Sequence, residues 1–450
     1  FDASKSRKGI EKVPTKAITM GVRTIFNAKR VIVMAWGLHK SLIVKKSVED
    51  TITSLIPTTY LQNHKNTTLV LDRESASELT RFKTPWLVGT CDWIDSMKRK
   101  AIVWLCEITG KSILKLTDED YNKNGLSDLL ALEGSAYDLN IIMFNHFQNT
   151  ITGWPGGKPG FDDSTRPERK SPSSKRVIIF SPHPDDDVVS MGGTFDRLVS
   201  QGHEVHIAYQ VKGNIAVSDH DALKFIEVSK DMFKNDSKVP VSQLIKELTN
   251  NKPDKIDSQA VRDLKGFIRK REAIAATRYI GIPDSNTHFM NLPFYDTGRI
   301  KKNPPTKKDV LITASLIKKI KPHQIFAAGD LEDPHGTHKV CLDVILDALD
   351  TLKGEKFIKD CWLWLYRGAW LDWDVHDIDM AVPMSPAQVL RKRKAIFFHQ
   401  TQKDGVMFQG QDLREFWVRA EERNSETAEK YKKMGLADYA AIESFKRHYY

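Results

Sequence analysis

Cysteine is scarce in this chain. Its 450 residues include four, Cys91, Cys106, Cys341 and Cys361, all in apolar or aromatic surroundings and none in C-x-x-C spacing. That excludes a disulfide framework and a thiolate metal cluster, and predicts buried, reduced thiols. Long apolar runs are missing too. No stretch approaches a membrane span and no signal peptide is visible, so the expected location is the cytoplasm. No internal repeat is present, which argues against a stacked-repeat architecture. There is also no basic tract. The 68 lysines and arginines outnumber the 58 acids and leave a net charge of +10, but the two signs are interspersed. This argues against nucleic-acid binding and suits a small anionic substrate equally well.

What is present allows two or three soluble globular domains, since 40% of the residues are hydrophobic. The most informative stretch is KRVIIFSPHPDDDVVSMGG, from Lys175 to Gly193. Val177 to Phe180 form a β-branched apolar run too short for a helix, which predicts a buried strand. A turn interrupted by proline follows, carrying His183, Asp185, Asp186 and Asp187, and then a helix. Polar, metal-competent side chains therefore stand where a strand of an α/β sheet ends, which is where open sheets bind ligands. A second such place is QIFAAGDLEDPHGTH, Gln324 to His338, an apolar strand followed by a turn with His335 and His338. His183, Asp186 and one later histidine would make the three-ligand set of a catalytic zinc site, with Asp185 free to take a proton from water. The alternative is a capping turn, in which the aspartates bind the first free N–H groups of the next helix.

Three spaced motifs carry a family resemblance: Pro-His-Pro-Asp-Asp after a strand, Arg269-x-x-Glu272-Ala273 before Ile280-Gly281-Ile282, and His335-x-x-His338 after another strand. Together they resemble the PIG-L/LmbE family of zinc-dependent sugar N-deacetylases. The resemblance implies a Rossmann-like α/β fold, a parallel sheet with covering helices. It also implies His183, Asp186 and His338 as ligands of Zn²⁺ (or Fe²⁺), and Asp185 as general base. His335 would support the tetrahedral intermediate or the leaving amine, and Arg269 would contact substrate. Asp187 stands where the family often has Glu, and Thr337 where an Asp commonly precedes the last ligand. Asp333 is close enough in sequence to take over the orientation of His335. Lys394-Ala-Ile-Phe-Phe-His399-Gln-Thr-Gln402 resembles a late segment of the same family, which places His399 and Gln402 near the site.

Residues 1–80 carry a second resemblance. ITMGVRTIFNAKRV, GLHK and PTTYLQNHKNTTLVLD resemble the C-terminal part of glucosamine-6-phosphate deaminases/isomerases. Lys40, at a helix start suited to an anion, matches that family's phosphate-contacting lysine; otherwise it is an exposed lysine. That family's catalytic carboxylates and histidine would lie upstream of Phe1, and an upstream portion is expected because the chain opens inside a patterned region.

The expected organisation is a partial deaminase-like α/β module at 1–80 and a mostly helical connection at 81–150. A Gly/Pro/Ser-rich linker at 151–174 and the deacetylase domain at 175–450 follow. Trp86, Trp93 and Trp104 are expected as core rather than as sugar platforms, and His203 and His206 as ordinary strand histidines. The Trp370-Leu-Asp-Trp-Asp segment either lines the pocket or is packed surface, and the tail from Gln411 to Tyr450 is expected to be helical. Three functions remain: a metal-dependent amidase acting on an N-acylated amino sugar, an aminosugar-phosphate deaminase completed upstream, and a sugar sensor with a vestigial site. The expected partner is a small amino-sugar substrate, with homo-oligomerisation left open.

Overall fold

The computed structural model describes residues 18–232, 241–250, 256–298, 302–331, 333, 336–403 and 414–450. Contacts divide these residues into two compact units, Pro14–Phe144 and Asn145–Tyr450.

The first unit opens with α1 (Val22–Phe26), β1 (Val31–Ala35), α2 (Ser41–Glu49) and β2 (Thr67–Leu71). β1 and β2 pair in parallel, Val31 opposite Thr67 through Ala35 opposite Leu71, as a two-stranded sheet. Parallel strands are ordinarily covered on both faces, yet Ile32, Met34 and Val70 are exposed here. The unit continues through α3 (Thr80–Lys83), α4 (Asp95–Thr109), α5 (Asp118–Lys123), α6 (Ser127–Glu133) and α7 (Ala136–Thr150). Buried Trp86 packs against Trp93 and Trp104 at centroid distances of 6.1 and 5.2 Å, tilted against the first and edge-on to the second.

The second unit is built on β3 (Arg176–Ser181), α8 (Asp186–Ser200), β4 (Glu204–Tyr209), α9 (Asp219–Met232), α10 (Val241–Thr249), α11 (Gln259–Ile280) and β5 (Thr287–Phe289). It continues with α12 (Lys307–Ile320), β6 (Gln324–Ala328), α13 (Thr337–Thr351), β7 (Trp362–Tyr366), β8 (Met380–Met384), α14 (Pro386–Phe397), α15 (Gln400–Lys403), α16 (Phe416–Lys433) and β9 (Ala441–His448). Seven strands form one sheet in the order β5-β4-β3-β6-β7-β9-β8. β5 to β7 are parallel, and β9 runs antiparallel between β7 and β8. This is the expected α/β fold, and its strands show why. Val177 to Phe180 on β3 and all five residues of β6 are buried, the near-continuous apolar burial of a covered parallel sheet. The chain leaves β3 toward β4 and β5 and later returns to β6 on the other side. The topological switch, and with it the crevice, lies between the C-terminal ends of β3 and β6.

Two expectations change. The tail is not helical throughout, because α16 is followed by β9. Glu443 and Ser444 hide that strand in the sequence, since a polar pair reads as solvent-facing. In the fold Glu443 is buried, accepts hydrogen bonds from the N–H groups of Gly193 (2.9 Å) and Thr194 (2.6 Å), and pairs with buried Lys392 at 2.7 Å. The Gly/Pro-rich stretch 151–174, with the composition of a linker, is also packed. Gln324 donates to Pro155 O (3.0 Å), and buried Lys175 donates to the carbonyls of Arg169 and Pro172. A Cβ at Gly157 would fall 1.8 Å from Arg169 O, so glycine is required for that approach.

Candidate metal centre

The turn after β3 is wound by its own side chains. Ser181 Oγ donates to His183 O (2.6 Å), the Asp187 N–H donates to Ser181 Oγ (3.1 Å), and the His183 N–H donates to Asp186 Oδ2 (2.8 Å). These bonds turn His183 and Asp186 to the same side as α8 begins. After β6, a second turn brings in His338 at the start of α13. Asp333 caps that helix, accepting from the N–H groups of Thr337 (2.7 Å) and His338 (3.1 Å). Both Asp333 oxygens thereby accept from backbone N–H groups. His335 itself lies outside the described residues. Thr337 Oγ1 is buried with no partner among the described residues.

The two turns meet. His183, Asp186 and His338 each present a ligand atom within 4.8 Å of the others. Asp186 Oδ2 lies 3.2 Å from His183 Nδ1 and 3.2 Å from His338 Nε2. Bonds of about 2.0–2.1 Å at tetrahedral angles separate neighbouring ligand atoms by about 3.3 Å, so both edges fit a single zinc-sized ion. The tautomer fits as well, since His338 Nδ1 lies 2.7 Å from Asp330 O. Donating its proton there leaves the Nε2 lone pair facing Asp186, the outer-sphere arrangement common to metal-bound histidines. A second group of metal-competent residues, Asp374, His376 and Asp377, is more exposed, and Asp377 is already paired with Lys446 at 2.7 Å.

The electrostatics of the protein alone agree with this arrangement. Burial by itself would raise the pKa of Asp186, but His338 and His183 overcome it and hold the carboxylate well below the usual range. His338 loses stability as a cation through burial, yet Asp186, Asp333 and Asp330 raise its pKa to about 10. Without a metal, the carboxylate holds a proton on the neighbouring imidazole. Asp187 points elsewhere. It accepts from Tyr209 Oη (3.0 Å) and Ser181 Oγ (3.2 Å), and burial pushes it up to about 7.

Asp185 and Arg269 form the other half of the site. Arg269 projects from α11 and is 1% exposed; its Nη2 lies 3.0 Å from Asp185 Oδ2 and donates to Pro184 O at 2.8 Å. Arg269 Nε and Nη1 have no partner among the described residues, although Arg269 lines the pocket with His183, Asp186 and His338. Glu272, one turn further along α11, is buried and accepts from Thr401 N (2.8 Å) and Thr401 Oγ1 (2.9 Å). The Arg-x-x-Glu pair is thus divided, with Arg269 on the site and Glu272 tying α11 to α15. Gln402 lines the pocket, while His399 is fully buried with both ring nitrogens unpartnered among the described residues.

Sequence reasoning missed Gly213, which lines the pocket at φ +62°. A Cβ there would meet Pro184 Cδ at 3.0 Å and Arg269 Nε at 3.3 Å. Lys212-Gly213-Asn214 after a strand was the available signal. It also missed Phe416, which joins Trp370 in the pocket wall. Lys40 belongs to the other unit. It precedes α2 as an exposed side chain, and the neighbouring Gly37 N–H is bound by the Asp72 carboxylate at 3.0 and 3.2 Å.

Residues 178–349 match the PIG-L family, described as GlcNAc-PI de-N-acetylase. Over 453 aligned residues the chain is 51% identical to a glucosamine-6-phosphate deaminase-like protein of Bacteroides thetaiotaomicron, covering 99% of this chain and 68% of that protein. A glucosamine-6-phosphate deaminase of Clostridium novyi is 48% identical over 69 residues, 15% of this chain and 29% of the deaminase. Solved structures similar to the chain include N,N'-diacetylchitobiose deacetylase from Pyrococcus horikoshii, at 18% identity and a TM-score of 0.37 over 61% of this chain and 84% of that one. GalB, the 4-carboxy-2-hydroxymuconate hydratase of Pseudomonas putida, is 14% identical with a TM-score of 0.39, over 61% and 97% of the two chains. Among the described residues no helix is long and apolar enough to cross a membrane.

Proposed function

Because this chain belongs to the family of proteins in which a PIG-L de-N-acetylase domain follows a glucosamine-6-phosphate deaminase-like segment, we propose that it hydrolyses the N-acetyl amide of an amino sugar or amino-sugar conjugate. Zinc, or iron(II), is the proposed cofactor. The observation that carries this reading is the convergence of two imidazoles on one carboxylate oxygen, at 3.2 Å each, beside a second aspartate clamped by a buried arginine.

His183, Asp186 and His338 would hold the ion. When bound, it would supply Lewis acidity toward the acyl carbonyl and lower the pKa of water in the site. The remaining chemistry belongs to the chain. Arg269 fixes Asp185 Oδ2, so the carboxylate is held in one orientation. Asp185 takes the proton of the attacking water and returns it to the nitrogen as the amide C–N bond breaks. The unpartnered Arg269 nitrogens offer donors to a substrate oxygen, and His335 is assigned to the developing oxyanion or the leaving amine. In the first unit, Lys40 is assigned to anion contact independent of this reaction.

The test is metal content beside acetate release on N-acetylglucosamine derivatives. Asp186→Asn exchanges a charged ligand for a neutral one and should lose metal. Asp185→Asn should keep metal while turnover falls by about 10²- to 10⁴-fold, the usual contribution of a positioned base. If both variants keep metal and full rate, the amidase reading fails.

A further inference from the structure

We propose that Trp370 is a specificity-determining residue, its indole forming the platform on which the pyranose ring of the substrate lies while the N-acyl group faces the metal ligands. This rests on the deacetylase reading of the same site.

Trp370 is half-buried and lines the pocket beside the candidate metal ligands, whereas the tryptophans of the first unit, Trp86, Trp93 and Trp104, pack against one another. Phe416 stands against Trp370 edge-to-face, at 5.4 Å and 86°, so two aromatic rings meet in the pocket lining. The platform is held rigidly. The N–H groups of Trp370 and Leu371 both donate to Asp330 Oδ2, at 2.6 and 3.0 Å. The carbonyl of the same Asp330 takes His338 Nδ1 at 2.7 Å. One buried residue therefore suspends both the aromatic wall and a metal ligand, which fixes the distance between them. Gly368 allows the wall to close on α8: at φ +143° its Cβ would lie 3.1 Å from Ser190 Cα.

The chemistry of the two walls sorts substrates. The polar wall, with Asp185, Arg269 and the metal ligands, recognises a carbonyl and a leaving nitrogen, which every small amide has. Arg419 stands over one face of the Trp370 ring, 5.5 Å from its centroid, and the proposed platform is the other face, a flat apolar surface whose natural partner is the face of a gluco-configured pyranose that carries the axial C–H bonds at positions 1, 3 and 5. Short acyclic N-acetyl amines present no such face.

The test uses the intact chain and N-acetyl-D-glucosamine as probe. Saturation-transfer NMR should place the strongest transfer on H1, H3 and H5 of the β-anomer, with loss in Trp370→Ala and recovery in Trp370→Phe. In steady state with added zinc, Trp370→Ala should raise KM for acetylated glucosamine about tenfold, with kcat changed less. The ratio of kcat/KM on N-acetyl-D-glucosamine to kcat/KM on N-acetylethanolamine should fall in Trp370→Ala. Transfer spread evenly over the sugar protons of the wild type overturns the proposal, as does an unchanged KM in Trp370→Ala; neither result touches the deacetylase reading. Trp370-dependent sugar binding without acetate release from zinc-loaded protein does the reverse, sinking that reading and leaving the platform.

Discussion

β1 and β3 are nearly the same text with different fates. Val31-Ile-Val-Met-Ala35 and Arg176-Val-Ile-Ile-Phe-Ser181 are both short apolar strands that enter a turn and a helix. β1 has one parallel neighbour and leaves Ile32 52% exposed, whereas β3 sits between β4 and β6 with Ile179 fully buried. Among the described residues a crevice forms at β3, where a second strand end on the far side of the switch faces the first. The candidate chemistry follows that difference. In the second unit, turns from β3 and β6 bring His183, Asp186 and His338 together. In the first, the turn after β1 is closed by Asp72 on the Gly37 N–H. A strand-turn-helix is a ligand site when its sheet continues on both sides.

The comparison breaks most severely if metal chemistry is not confined to the second unit. His338→Ala should abolish metal retention and reduce acetate release to background, whereas Lys40→Ala should leave both unchanged; metal analysis and rate measurement on the two variants check this. A large effect of Lys40→Ala would mean the two turns share one function. Next in size is the cost of emptying each strand. Ile179→Ala should lower unfolding stability by about 2–5 kcal/mol, and Ile32→Ala by about 0.5 kcal/mol or less, read by chemical denaturation of each variant. Equal losses would show that β1 is as well covered as β3.

Acid sensitivity sharpens the same contrast, since fully buried titratable groups gather in the second unit. Burial depresses His399 to about 4, against smaller opposing effects of Asp185 and Asp186, while an exposed imidazole titrates near 6.5. Between those values the unfolded chain binds a proton that the folded chain refuses. The His399 contribution to stability therefore falls by about 3 kcal/mol as pH drops from 6.5 to 4 and levels off below. Over the range from pH 7 to 4 the wild type should lose that amount of stability relative to His399→Leu, read from denaturation curves of both. A difference independent of pH would show that His399 is protonated equally in both states.

Part of this molecule was legible from residue order alone. Short apolar runs marked β3, β6 and β7, because a covered parallel strand must be apolar on both faces and so leaves a continuous signature. His183, Asp186 and His338 were legible as polar, metal-competent residues just beyond two such strands. β8 and β9 were not. Met380-Ala-Val-Pro-Met384 contains a proline, and β9 carries Glu443 and Lys446, so neither has the period or composition of a strand. Glu443 is tolerated there because Lys392 and two backbone N–H groups meet it, and all three partners are distant in the chain.

Sequence by itself thus determined the elements that local composition specifies and the residue types able to bind metal. Tertiary structure alone decided which of those residues share one carboxylate oxygen, that Arg269 grips Asp185 while Glu272 turns to Thr401, and that Asp333 caps α13. The physical reason is that a side chain's role depends on which partner reaches it through the fold. Arg269 lies 84 residues from Asp185, and His338 lies 152 from Asp186. A strand pattern is local, whereas the pairing of a buried charge is settled only when distant elements close around it and water can no longer serve as its partner.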